Sequence, residues 1–152
     1  MEYMMITKLE ELREEKDFTK KQMAEKLEVS DSIYARWENG KEIIPTRRIY
    51  RLANYYQVSI DYLLGLTTKK IPLKSKDKID QELVALRIRE IRKDYCETLR
   101  EFAKRLNTTN STWSAYETGK VLILGAFLLE ICKMGNYSAD WILGRTDKKY
   151  RD

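Results

Sequence analysis

Apolar side chains fall at Met5, Leu9 and Leu12, spaced i, i+4 and i+7, while Glu10, Glu11, Glu14 and Glu15 lie off that stripe. This is the period of a helix with one buried face. Thr19, followed three residues later by Gln22, has the form of a capping box. A second helix is therefore expected to open there with Met23, Ala24 and Leu27 turned inward. A short polar turn follows. Ser30 can cap a third helix by accepting from a first-turn amide, and Gly40 can end it in the left-handed conformation. A fourth helix is expected from Pro45 and Thr46, and a fifth from Ser59 with Gly65 as its stop. No stretch shows the alternation of a half-buried strand, so the pattern predicts an all-α protein.

The same plan is then written a second time. Ala24, Leu27, Glu38, Gly40 and Lys41 recur as Ala103, Leu106, Glu117, Gly119 and Lys120, each 79 residues later. Further on, Ser59-Ile60-Asp61-Tyr62-Leu63-Leu64-Gly65 recurs without a gap as Ser138-Ala139-Asp140-Trp141-Ile142-Leu143-Gly144. Val84, Ile88 and Ile91 supply the first apolar stripe of the second copy, Thr98 and Glu101 its capping box, and Thr109 its third cap. A period this long, met only twice, is wrong for a solenoid. Two five-helix domains in tandem are expected, at residues 1–67 and 80–147, with a lysine-rich solvated linker at 68–79 and a polar tail at 148–152. Asp80 is placed to cap the first helix of the second domain. Tyr34, Trp37, Trp113 and Tyr116 stand at helical spacing and read as core aromatics.

Composition removes several classes of function. Lys and Arg exceed Asp and Glu by 29 to 24 in 152 residues, an excess shared between the two halves. So mild a basic total is poor evidence for nucleic acid, and the placement of charge matters more. There is no histidine, which takes away the commonest general base and the commonest zinc ligand. No nucleophile elbow, phosphate-binding loop or Cys-x-x-Cys is present either, so neither an enzyme nor a cofactor or metal site is expected. Cys96 and Cys132 have no counterparts in the first copy; one disulfide is conceivable, but two buried reduced thiols is the preferred reading. The apolar run of residues 121–129 is too short to span a bilayer, and a cytoplasmic protein without membrane contact is expected.

Residues 18–27, Phe18-Thr19-Lys20-Lys21-Gln22-Met23-Ala24-Glu25-Lys26-Leu27, are followed by Val29-Ser30-Asp31-Ser32-Ile33-Tyr34-Ala35-Arg36-Trp37-Glu38-Asn39-Gly40-Lys41. With the closing Val58-Ser59-Ile60-Asp61-Tyr62-Leu63-Leu64-Gly65, this resembles the Cro/repressor (XRE-type) helix-turn-helix family over nearly all of the first copy. The second copy keeps the frame in Tyr116-Glu117-Thr118-Gly119-Lys120 and in residues 138–144, but has Leu99 where the first has Lys20. The resemblance implies a lambda-repressor-like fold in each copy. It also implies a transcriptional regulator that binds double-stranded DNA sequence-specifically, with repression the expected sign.

In that fold the third helix enters the major groove and its first residues meet base edges. The resemblance places Asp31, Ser32, Ile33 and Arg36 at those positions. Arg36 can bond guanine O6 and N7 together, while Asp31 could accept from a cytosine amino group or merely stabilise the helix start. Thr19, Lys20 and Lys21 at the second helix, with Asn39, Lys41, Arg47 and Arg48 around the third, are expected at phosphates. In the second domain the base-reading candidates are Asn110, Ser111 and Thr112, with Arg100 and Lys120 at phosphates. There Ala115 replaces Arg36, and Ala126, Phe127 and Glu130 replace Arg47, Arg48 and Arg51. Arg13 and Glu38 recur as Arg92 and Glu117, which suggests an ion pair between the first and third helices of each copy, and the resemblance implies the same. The first domain is expected to be the principal reader. The second either reads a different half-site or self-associates. Its run Val121-Leu122-Ile123-Leu124-Gly125-Ala126-Phe127-Leu128-Leu129 either fills core or meets a partner, a second copy in a homodimer among them. The alternative is an antitoxin-like or protein-interaction module whose second domain binds a protein.

Overall fold

Side-chain caps set where most of the described helices of this chain begin. The computed structural model describes residues 7–76 and 78–152, so the expectation for Met5 lies outside the described residues. Among them are ten helices and no strand, in two units that divide between Lys74 and Ser75. The first unit holds α1 (Leu9–Glu15), α2 (Lys20–Leu27), α3 (Asp31–Glu38), α4 (Thr46–Tyr56) and α5 (Ile60–Leu63). The second holds α6 (Gln81–Asp94), α7 (Leu99–Arg105), α8 (Asn110–Glu117), α9 (Gly125–Gly135) and α10 (Ala139–Ile142).

Both capping boxes form. The Gln22 amide donates to Thr19 Oγ1 at 3.1 Å and the Thr19 amide to Gln22 Oε1 at 2.8 Å; Thr98 and Glu101 repeat the exchange at 3.1 Å each way. Ser30, Ser59, Asp80, Thr109 and Ser138 each accept from the amide three residues on. Left-handed residues then turn the chain after the helices, a conformation that L-residues seldom adopt. Asp17, Glu28 and Gln57 have φ of 57°, 57° and 54°, and the residues 79 positions later, Cys96, Asn107 and Asn136, have 53°, 56° and 58°. Gly40 and Gly65 are matched likewise by Gly119 and Gly144. The bounds of α3, α4 and α5 recur at that offset in α8, α9 and α10.

Each unit closes its helices over its own apolar centre. Leu9, Met23, Ala24, Tyr34, Ile49, Leu52 and Leu63 are fully buried in the first; Ile88, Ile91, Phe102, Ala103, Trp113, Leu128 and Ile131 are in the second. Trp37 and Tyr116 join them at 3% exposure. Cys132 is buried and Cys96 exposed, both as free thiols, so the reading of two buried thiols holds for one of them.

One ion pair ties α1 to α3. Arg13 Nε donates to Glu38 Oε2 at 2.7 Å, Nη2 to Glu38 Oε1 at 3.2 Å, and Nη1 to the Phe18 carbonyl at 2.7 Å. Arg92 binds Glu117 at 2.8 and 3.0 Å and the Glu97 carbonyl at 2.8 Å in the same arrangement. The bonds to the carboxylates push both guanidinium groups further toward the charged form, although burial opposes it. Burial, reinforced by Glu38, also raises the neighbouring Tyr34 phenol, which keeps it neutral. Such a pair adds little net stability over an apolar pair, but removing one partner strands the other charge. Glu38→Ala should therefore destabilise the first unit by about 3–5 kcal/mol in chemical denaturation, and Glu117→Ala the second by the same range.

The expected linker and tail are not free chain. Residues 68–73 fold back on the first unit: Val58 forms an isolated antiparallel bridge with Pro72, the Leu73 amide donates to the Gln57 carbonyl at 3.1 Å, and Lys70 pairs with Glu15 at 2.5 Å. Residues 149–151 do the same in the second unit. Tyr137 bridges to Tyr150, the Ser138 amide donates to the Lys149 carbonyl at 2.9 Å, and Arg151 donates to the Tyr137 and Cys132 carbonyls at 3.0 and 2.8 Å. Lys149 reaches Glu90 and Asp94 at 2.8 and 2.7 Å beneath the rings of Tyr137, Trp141 and Tyr150. Burial alone would lower its pKa; the two carboxylates outweigh that and raise it. Ending the chain after Thr146 should thus lower the stability of the second unit by roughly 2–4 kcal/mol, from several hydrogen bonds at about 0.5–1.5 kcal/mol each. A free tail would leave its thermal midpoint unchanged.

Candidate nucleic-acid interface

α2 packs on α3 across the turn at residues 28–30, in which Glu28 takes the left-handed conformation and Ser30 caps the next helix. Tyr34 and Trp37 anchor α3 from its inner face, with ring centroids 6.3 Å apart in an edge contact. The Arg13–Glu38 pair holds its far end. What α3 presents outward is then fixed by the helical period. Asp31, Ser32 and Arg36 are exposed, and Ile33 is half-buried. Ser32 Oγ lies 3.2 Å from Ser30 Oγ, within the cap.

The flanking candidates divide. Lys20, Lys21, Asn39, Lys41 and Arg47 are exposed. The amides of Thr19 and Gln22 are engaged in the capping box, so the first-turn donors that α2 can turn to an anion are those of Lys20 and Lys21. Asn39 Oδ1 accepts from the Lys41 amide at 3.1 Å, which leaves its amide group as the part able to reach a phosphate. Arg48 faces inward. It is half-buried, and its Nη1 donates to the Leu27 carbonyl at 2.6 Å, one of the last-turn carbonyls that α2 leaves without a helical partner. The sequence offered no signal separating Arg48 from Arg47, since both are charged neighbours at the start of one helix.

The corresponding face of the second unit differs in chemistry. Asn110 and Ser111 are exposed on α8, while Thr112 is half-buried with its hydroxyl 2.9 Å from Thr109 Oγ1. Arg100 and Lys120 are exposed. Where Arg48 lies in the first unit, Phe127 packs edge-on against Trp113 and also contacts Tyr116, at centroid distances of 6.1 and 5.9 Å. Ile123, Leu128 and Leu129 are buried and Phe127 half-buried, so part of the run at 121–129 is core. Val121 and Leu124 alone of it stand out, at 50% and 55% exposure. Among the described residues no group of Cys, Asp and Glu is placed to hold a metal ion, and no helix is long and apolar enough to cross a membrane.

Two helices joined by a tight left-handed turn, the second held from behind and presenting polar side chains at its amino end, define a helix-turn-helix domain. Residues 9–63 match the helix-turn-helix family model, so one such domain occupies that part of the chain. The chain is 36% identical over 69 residues to the uncharacterized HTH-type transcriptional regulator YobD of Bacillus subtilis (strain 168), covering 45% of this chain and 62% of that protein. It is 36% identical over 58 residues to the HTH-type transcriptional regulator ImmR of the same organism (38% of this chain, 46% of that one). It is 37% identical over 58 residues to the HTH-type transcriptional activator BcrR of Enterococcus faecalis (38% and 28%). The similarity thus spans less than two thirds of the length of each relative. No solved structure matches the chain.

The division between Arg47 and Arg48 is open to measurement. Arg48→Ala should cost about 1–3 kcal/mol of stability, because the Leu27 carbonyl loses its donor. It should leave the salt dependence of any DNA binding unchanged. Denaturation and titration of the same variant read the two effects separately.

Proposed function

We propose that this chain is a cytoplasmic, non-enzymatic transcriptional regulator that binds double-stranded DNA sequence-specifically through α3. The observation that carries the reading is the outward face of that helix, where Asp31, Ser32 and Arg36 are exposed and Ile33 half-buried, with Lys20, Lys21, Lys41 and Arg47 exposed in the same unit. The helix-turn-helix match over residues 9–63 and the names of the relatives support it. Arg36 reads a guanine, and the lysines with Arg47 and the Asn39 amide hold phosphates. Repression is the proposed sign, since an occupied operator excludes polymerase; a reporter with the operator overlapping the promoter tests it.

The second unit we take to be a second copy of the same fold. The shared helix bounds and matched left-handed residues at one offset support that. Its reading face is poorer: Ala115, Ala126 and Phe127 stand where the first unit has Arg36, Arg47 and Arg48, and Asn110, Ser111, Arg100 and Lys120 remain. It is therefore the lesser reader. Exposed Val121 and Leu124 beside α8 favour a second role in self-association or in binding a protein partner, as in an antitoxin.

Selection of bound sequences from random duplexes, followed by titration at several salt concentrations, tests these assignments. Arg36→Ala should cost roughly 1–3 kcal/mol on the selected site and relax the choice of one base pair. Lys20→Ala should weaken all sequences alike and flatten the salt dependence by about one phosphate. Asn110→Ala should matter less than either. If Asn110→Ala abolishes specificity while Arg36→Ala leaves it intact, the roles of the two units are reversed.

A further inference from the structure

After α3 the chain doubles back over the helix end. The amides of Lys41 and Glu42 both donate to the Arg36 carbonyl, at 3.0 and 3.4 Å. This turn brings the Glu42 carboxylate to the Arg36 guanidinium, with Oε2 3.7 Å from Nη1. Both side chains are largely in solvent, at 57% exposure for Arg36 and 44% for Glu42. An exposed pair at that separation adds little to folding stability. The second unit makes the same point independently. There the equivalent turn is kept, with the Val121 amide donating to the Ala115 carbonyl at 3.2 Å, although both charges have been replaced by apolar side chains. The turn does not need the ion pair. The carboxylate is present where the arginine is present, and both are absent together.

A glutamate on the rim of a surface meant for a polyanion is otherwise unfavourable, since it repels the phosphates that the neighbouring lysines attract. We infer that Glu42 is a positioning residue for base recognition: it holds the Arg36 guanidinium to one side of its rotamer range, so that its two-pronged edge meets a single base pair. This rests on the reading of Arg36 as a base contact. A long side chain free to swing could bond a phosphate or either of two neighbouring bases, whereas a tethered one is restricted before binding. The carboxylate also penalises a swing of Arg36 away from it, so it sharpens choice at the expense of general affinity.

The test uses the full chain and the duplex that it selects from a random pool, together with duplexes altered at the base pair whose choice Arg36→Ala relaxes. Glu42→Gln keeps the shape of the side chain and removes the charge. It is expected to bind all duplexes somewhat more tightly, with a steeper salt dependence, while discrimination at the Arg36 base pair falls roughly two- to five-fold, the range that an exposed ion pair is worth. Discrimination elsewhere in the site should stay as it was. In the Arg36→Ala background, Glu42→Gln should still raise affinity but change no discrimination further. Undiminished discrimination in Glu42→Gln, with Arg36→Ala still relaxed, would overturn the positioning role and leave the base contact standing. If Arg36→Ala itself relaxes no base pair, the proposed reading fails first, and the inference with it.

Discussion

Arg13 lies where three elements of the first unit meet. Its guanidinium spans from α1 to Glu38 at the end of α3, and its remaining nitrogen holds the Phe18 carbonyl immediately before the cap of α2. Three helices of the first unit are thus tied together by one planar group whose fork matches a carboxylate bidentately. Apolar packing alone leaves a helix free to slide or rotate by small amounts at little cost, while a nearly buried charge pair tolerates neither. What depends on it is the angle at which α3 faces outward, and with it the positions of Asp31, Ser32 and Arg36. The second unit repeats the clamp through Arg92, Glu117 and the Glu97 carbonyl, with distances within 0.2 Å of the first.

Around this common frame the two units have diverged in the parts the frame does not constrain. Tyr34 and Trp37 exchange ring types with Trp113 and Tyr116 at the same core positions, and Phe127 fills space beside them where Arg48 instead reaches for a helix-end carbonyl. One position therefore serves as a polar staple in the first unit and as an aromatic filler in the second. Arg48 ties the fourth helix of its unit to the second, whereas Phe127 packs the fourth helix of its unit against the third. In the second unit Val121 and Leu124 stand exposed as well.

Local chemistry was the legible part of the sequence. Caps, left-handed turns and the apolar stripes each depend on residues within a few positions of one another, so Thr19 with Gln22, Ser30, Gly40 and their counterparts could be read directly. The Arg13–Glu38 pair is a contact across 25 residues, and it was legible because the chain states it twice and the family resemblance implies it. The folded-back segments were the costliest omission. Lys69 and Lys70 recur as Lys148 and Lys149 at the same offset as everything else, yet a run of lysines reads as solvated linker when its acceptors are unseen. Those acceptors, Glu15 in one unit and Glu90 with Asp94 in the other, lie more than fifty residues upstream.

By itself, then, the sequence determined the helices, their order and the residues able to face outward, because helix period and capping are properties of short segments. Tertiary structure alone decided which of the charged residues are exposed. Arg47 and Arg48 are adjacent and chemically identical, but the rotation of α4 against α2 turns one outward and seats the other on the Leu27 carbonyl. Likewise the run at 121–129 could not declare itself as core or surface until α9 was packed, since burial belongs to the neighbours of a side chain and not to its hydrophobicity.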